Sequence, residues 1–324
     1  MRKIVSKLVK RVFQSERVRR RLAYTAENAE AFSDFKAQES MLADRPPVDA
    51  YHKAITKYTQ KGERVVDLGT GTGILAFFAA SKSPAKVYAV EHGRIIEVAR
   101  AAAVENGIEN VEFFAGHSKT FSPEEKVDII IHEQMGSPLF GEHMITNVVD
   151  LRDRILKPGG RIFPAKFEWY IEPIQLKEAN TIPFAWEQSV YGLTFKMLRD
   201  RAKDLGYYYR RRRIAPYMIE NFLCKPEPVL RIDLETIRLD EVPREISYKR
   251  PAVRKGRLDG FCAYFTASFD DEISLTTDPF FENRAVSWPL RFFRVDSREY
   301  EPGETVEFNM QIDDLEQPET YRWW

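Results

Sequence analysis

The stretch VVDLGTGTGILAFFAA, residues 65–80, restricts the fold more than any other part of the chain. A short apolar run carrying Asp67 gives way to glycines at 69, 71 and 73, and an apolar helical pattern starts at once. Glycine lets a backbone turn sharply and leaves no Cβ between the chain and a ligand. The same alternation continues downstream. KVYAVE reads as a second strand, RIIEVARAAAVENG as a helix stopped by Gly107, VEFFAG as a third strand and KVDIIIHE as a fourth. Strands alternating with helices imply right-handed crossovers in a parallel sheet, with ligands bound beyond the carboxyl ends of the strands. NVVDLRDRILKPGGRIFP then predicts a helix capped by Pro158, Gly159 and Gly160 that feeds another strand. The expected class is α/β, with a Rossmann-like parallel-sheet domain over residues 31–164.

After Pro164 the texture changes. FEWYIEPIQL, VLRIDLETI, EISYKRPAV, GFCAYFTASF, LRFFRVD and TVEFNMQI are short, β-rich and separated by Pro, Gly and Asp. Such spacing predicts an antiparallel barrel or sandwich over residues 165–324. LTFKMLRDRAKDLG and the basic YYYRRRR interrupt it, so a helical insertion is expected within 193–222. At the other end, the first 22 residues carry nine Lys/Arg against one Glu, with apolar residues at helical spacing. Residues 1–30 therefore predict a basic amphipathic helix packed over the next domain, with membrane-surface or transit-peptide use as alternatives.

Whole-chain quantities set limits on partners. Forty-nine basic and 49 acidic side chains cancel, so no global field recruits nucleic acid or an acidic partner, and any partner must be recognised locally. Two cysteines, without companions at zinc spacing, suggest a reducing, cytoplasmic setting rather than a disulfide scaffold. No apolar run approaches the ~20 residues a membrane-spanning helix needs.

The glycine loop carries the first chemistry. A dinucleotide fingerprint wants its third glycine at position 74, which is Ile, while Asp67 sits just before the loop and Glu91 ends the second strand. A strand-end carboxylate at that distance is suited to ribose hydroxyls. Gly69, Gly71, Gly73, Asp67 and Glu91 together favour S-adenosylmethionine over a nicotinamide dinucleotide.

The second chemistry lies in IIIHEQMGSPLFGEHMI, residues 129–145, where Glu133 and Glu142 stand nine apart. A guanidinium is planar, permanently charged and carries five N–H donors, so two converging carboxylates can fix its plane and hold its charge away from one nitrogen. A hairpin-like loop after a strand brings both acids to one cation without their sharing a face. His132 and His143 flank these acids, but adjacent strand residues point to opposite faces, so no metal is expected.

From about residue 32 onward the chain resembles the protein arginine methyltransferases. VDIIIHEQMGSPLFGEHM is similar to that family's double-glutamate loop, S-E-W-M-G-x-x-L-x-x-E-S-M. Glu133 and Glu142 fall on its acids, and Met135, Gly136, Leu139 and Met144 on other fixed positions. LKPGGRIFP, WEQSVYGL and AYFTASF match further family stretches. The resemblance implies an S-adenosylmethionine-dependent N-methyltransferase in which Glu133 and Glu142 are catalytic. Met135, Ser287 and Trp288 would face the acceptor, and the 193–222 segment would be a dimerisation arm forming a head-to-tail homodimer.

The chain departs from the pattern at several positions. Gln134 replaces the aromatic residue of the loop, and Ser287 replaces the histidine that precedes Trp288. The N-terminal tyrosine segment falls on Asn28, Ala29 and Phe32, the arginine for the cofactor carboxylate falls on Pro47 with Arg45 as the expected substitute, and the adenine-side acid becomes Ser118 or Lys119. The acceptor is expected to be a protein arginine. Free arginine or another small metabolite, and a catalytically silent cofactor-binding scaffold, are the alternatives.

Overall fold

The computed structural model describes residues 34–136, 139–181, 188–198 and 211–324. The expected helix over 1–30 lies outside them. The described chain begins with α1 (Phe35–Ala43), started by the Asp34 side chain on Lys36 N, and α2 (Arg45–Tyr58), which has prolines in its first turn. Then come β1 (Arg64–Leu68), α3 (Ile74–Ala80), β2 (Lys86–Glu91), α4 (Ile96–Glu105), β3 (Val111–Ala115) and β4 (Val127–His132). After them follow α5 (Met144–Ile155) and β5 (Leu156–Phe163). The five strands form one parallel sheet in the order β3-β2-β1-β4-β5. The order reverses between β1 and β4, which is where open α/β sheets bind ligands.

The apolar runs VVDL and IIIH read as buried strands because they are: Val65, Val66, Ile129, Ile130 and Ile131 are fully buried under helices. One boundary differs from the sequence expectation. α5 stops at Ile155, and Lys157–Gly160 extend as part of β5 rather than capping a helix. β5 is an edge strand whose register slips between its pairings to Val127 and Ile129, so Pro158 sits where its missing N–H costs no ladder bond.

The second half is antiparallel, as expected. β6 (Lys166–Leu176), β13 (Gly256–Ser268) and β15 (Leu290–Tyr300) are the long strands of a seven-stranded sheet with path β10-β6-β13-β15-β9. β9 is Arg211–Ile214 and β10 is Ile219–Phe222. β11 (Leu230–Asp233) adds to β6, and β14 (Ser274–Thr276) to β13. β12 (Glu245–Pro251), β16 (Thr305–Ile312) and β17 (Tyr321–Trp323) form a three-stranded sheet. Part of the expected helical insertion is strand, since β7 (Ser189–Val190) pairs with β8 (Leu193–Thr194). Residues 199–210 lie outside the described residues.

One hydrophobic core is continuous from the parallel sheet to the antiparallel strands. Trp169 on β6, fully buried, meets Phe140 of the loop after β4 edge-on and Tyr321 of β17 on another side. That aromatic junction fixes the loop carrying the two acids against the second half of the chain.

Candidate active site

Register builds the site. Leu68 pairs with Val90 on one side and with His132 on the other. The residues immediately beyond, Gly69, Glu91 and Glu133, are therefore side by side at the carboxyl edge of the sheet. The backbone of the glycine loop is left-handed at all three glycines, with φ of 77°, 53° and 91° at Gly69, Gly71 and Gly73. L side chains rarely adopt such values. Asp67 holds the loop from below: fully buried, it accepts from Thr70 Oγ1 at 2.6 Å and from Ala76 N at 3.0 Å. Burial pushes its carboxyl up to about 7, against the pull of those bonds.

Glu91 accepts from Gly93 N at 2.7 Å and from Gly71 N at 3.3 Å. A carboxylate has about four acceptor sites, so capacity for a diol remains. His92, His117 and Ser118 line the same end of the cleft.

The acids occupy the other end. After β4 the chain closes a tight hairpin in which Gly136 and Leu139 exchange backbone bonds of 3.1 and 2.6 Å. The turn demands glycine at 136, because a Cβ there would stand 2.9 Å from Gly141 Cα. Glu133 and Glu142 thus return to one cleft, which both line, together with Gln134 and Asn147. Burial pushes Glu142 up to about 8. Glu133 is raised well above the usual carboxylate range, by burial first and then by the charges of Glu142, Asp67 and Asp44. Among the described residues the cleft wall contains no Lys or Arg.

Three contacts hold this arrangement to the rest of the chain. Tyr51 of α2 donates its hydroxyl to His132 O at 2.6 Å. Trp288 Nε1 donates to Met135 O. Asp44 Oδ2 accepts from Val286 N and Ser287 N at 2.8 and 2.7 Å, which ties the Trp288 loop to the start of α2.

Of the residues singled out from sequence, Gly69, Gly71, Glu91, Ser118, Glu133, Glu142, Ser287 and Trp288 line the cleft. Asp67, Gly73 and Met135 lie behind its wall: Asp67 and Met135 are buried, and Gly73 starts α3. Arg45 is exposed at the start of α2 and takes no part in the cleft, because the helix turns Pro47, Val48 and Tyr51 inward instead. The two flanking histidines turn to other partners, His132 to Pro164 O at 2.9 Å and His143 to Glu316 at 3.0 Å. Sequence reading missed Gln38, Tyr51 and Asn147. Gln38 packs over Gly71 from α1, and neither it nor the others belongs to a local motif. Asp44 was findable, since an acid before Arg-Pro-Pro marks a helix start.

Comparison with known proteins agrees with the fold. Residues 59–205 match a methyltransferase domain model. Protein arginine N-methyltransferase 6 of Danio rerio is 31% identical over 267 residues, covering 78% of this chain and 74% of that protein. A probable protein arginine N-methyltransferase 6 of Arabidopsis thaliana is 32% identical over 240 residues, and there the match covers 73% of this chain but only 55% of the relative. The solved structure of Arabidopsis thaliana protein arginine methyltransferase 10 superposes with a TM-score of 0.74 at 29% identity, covering 87% of this chain and 89% of that one. The chain belongs to the protein arginine N-methyltransferase family. It is an S-adenosylmethionine-dependent methyltransferase.

Gly71→Val tests the loop. The change puts a β-branched residue at φ 53° with its Cβ 3.0 Å from Gln38 Oε1. The expected outcome is a folded enzyme whose calorimetric affinity for S-adenosylhomocysteine falls at least about tenfold, or 1.4 kcal/mol; undiminished affinity removes the loop from the cofactor site.

Proposed function

We propose that this methyltransferase modifies a guanidine nitrogen of arginine in a protein. The observation supporting this reading is the convergence of Glu133 and Glu142 on a cleft whose described wall offers no Lys or Arg. Such a wall selects a positively charged acceptor. The cofactor fits the opposite end: Glu91 for the ribose, the open glycine loop for the nucleoside and methionine, and Ser118 near the adenine. When bound, S-adenosylmethionine supplies a methyl group activated by a sulfonium.

The protein's own groups do the rest. Glu133 and Glu142 accept from paired N–H groups of the guanidinium, fix its plane and concentrate positive charge away from the attacking nitrogen. Holding that nitrogen in line contributes through lost rotational freedom. The methylated nitrogen must also lose a proton. Glu142 has a carboxyl near 8 before the acceptor arrives and receives that proton on a carboxylate oxygen, with Ser287 standing where relatives of this pattern carry histidine.

Other features complete the proposal. We read the two antiparallel sheets as walls of one barrel-like substrate unit over residues 165–324, beside the cofactor domain of 31–164. Both cysteines, Cys224 and Cys262, are unpaired and buried, in keeping with a cytoplasmic enzyme. The described part of the 193–222 segment and the β7–β8 hairpin before it expose Tyr191, Leu193 and Met197, the apolar surface for a head-to-tail homodimer.

Glu133→Gln and Glu142→Gln should each lower turnover on an arginine peptide by about 10²–10³, with S-adenosylhomocysteine affinity and melting temperature little changed. Near-normal turnover in both variants would discard the guanidinium clamp. Methylation of free arginine with none on peptides would move the acceptor to a metabolite.

The acceptor's KM should depend on pH. The guanidinium does not titrate, whereas Glu142 is raised to about 8 in the free cleft, so binding a cation expels a proton. KM should therefore fall as pH rises from 6 to 8, by up to about tenfold per unit for one proton, and level off above. A KM flat across this range argues against carboxylate pairing.

The full-length enzyme should scatter light as a dimer at micromolar concentration. Leu193→Asp together with Tyr191→Asp should give a monomer; a monomeric parent enzyme rules out the arm.

A further inference from the structure

Glu316 lies between β16 and β17, far along the chain from Glu142. Its carboxylate is committed to the first turn of α5. One oxygen accepts from Thr146 N at 2.8 Å; the other accepts from Thr146 Oγ1 at 2.6 Å and stands 3.0 Å from His143 Nδ1. The first N–H groups of a helix have no partner within it and favour a negative charge. α5 supplies neither from its own sequence: its N-cap is His143, which makes no side-chain cap bond, and its first turn has no acid. Glu316 provides from a distant segment what a local cap residue normally gives.

The donor segment is itself fixed. Glu316 N donates to Asp314 Oδ1 at 3.1 Å, Asp314 N to Thr320 Oγ1 at 3.2 Å, and the Tyr321 hydroxyl to Leu315 O. Burial pushes the Glu316 carboxyl up, but the bonds from His143 and Thr146 outweigh it and hold it below the usual range, so it stays ionised.

Glu142 depends on this anchor. No hydrogen bond orients its carboxylate among the described residues, and burial alone accounts for its raised carboxyl. Its direction is therefore inherited from the backbone, and the next residue, His143, is left-handed at φ 56°. A non-glycine residue holds that conformation only where its surroundings over-determine it. The contact from His143 Nδ1 to Glu316 and the bonds to Thr146 are those surroundings.

We infer that Glu316 is a positioning residue for Glu142, aiming its carboxylate into the cleft through His143 and the first turn of α5. The inference rests on the guanidinium-clamp reading, and the test separates the two. Full-length Glu316→Ala should lower kcat on an arginine peptide by about 10²-fold, the size expected for a misplacement of about 1 Å, with S-adenosylhomocysteine affinity within about twofold. Glu316→Gln keeps an acceptor for Thr146 N–H and should recover most of the loss; should the alanine variant fail to fold, this variant carries the comparison with a smaller drop. In a Glu142→Gln background, Glu316→Ala should cost less than about threefold more, because residues acting as one unit are not additive. A folded Glu316→Ala with normal kcat, or a full 10²-fold loss repeated in the Glu142→Gln background, overturns the inference while leaving the clamp intact. Normal turnover in Glu142→Gln alone overturns the clamp first.

Discussion

Two carboxyls, Glu133 and Glu142, are drawn out of water into a cleft whose described wall holds no Lys or Arg. Removing charge from water is costly, so burial raises both groups, and for Glu133 the like charges of Glu142, Asp67 and Asp44 add to it. In the free cleft protonation relieves this; a bound cation relieves it with the carboxylates ionised. Under the proposed guanidinium clamp, these raised carboxyls hold part of the driving force for binding the acceptor. Asp67 sits in a similar environment below the glycine loop, but its bonds to Thr70 and Ala76 give it a structural task.

Keeping such a pair in place requires a rigid frame, and the frame comes from every part of the described chain. β4 delivers Glu133 at the sheet edge, and the close approach of Gly136 to Gly141 folds Glu142 back. Tyr51 clamps the strand end from α2, while Trp288 clamps the hairpin from the antiparallel half. Phe140 seats the loop on Trp169 and so on Tyr321 near the chain's end. Buried hydrogen bonds and close-packed aromatics stiffen this frame.

The parallel half was legible because its signals are local. Apolar runs of strand length, glycines at the turn and helical periodicity each act within a few residues, and the structure follows them from β1 to α5. The KPGG stretch misled for the opposite reason: a turn-rich composition is a local signal, whereas its place on a sheet edge, where a proline is tolerated, is set by pairing with β4. Arg45 misled in the same way, since two residues along a helix is a rotation of about 200°, enough to move a side chain from the cleft to solvent.

Sequence by itself determined the α/β class, the glycine loop, the strand-end Glu91, and the pair Glu133 and Glu142 as candidates for holding a guanidinium. It did so because each depends on residue type at short spacing. The tertiary structure alone decided which residues share the cleft. Gln38, Tyr51 and Asn147 come from three separate segments, and Glu316 reaches α5 from near the end of the chain. No periodicity encodes such meetings. They follow from strand register and from how the antiparallel sheets pack on the parallel one, which only the folded chain settles.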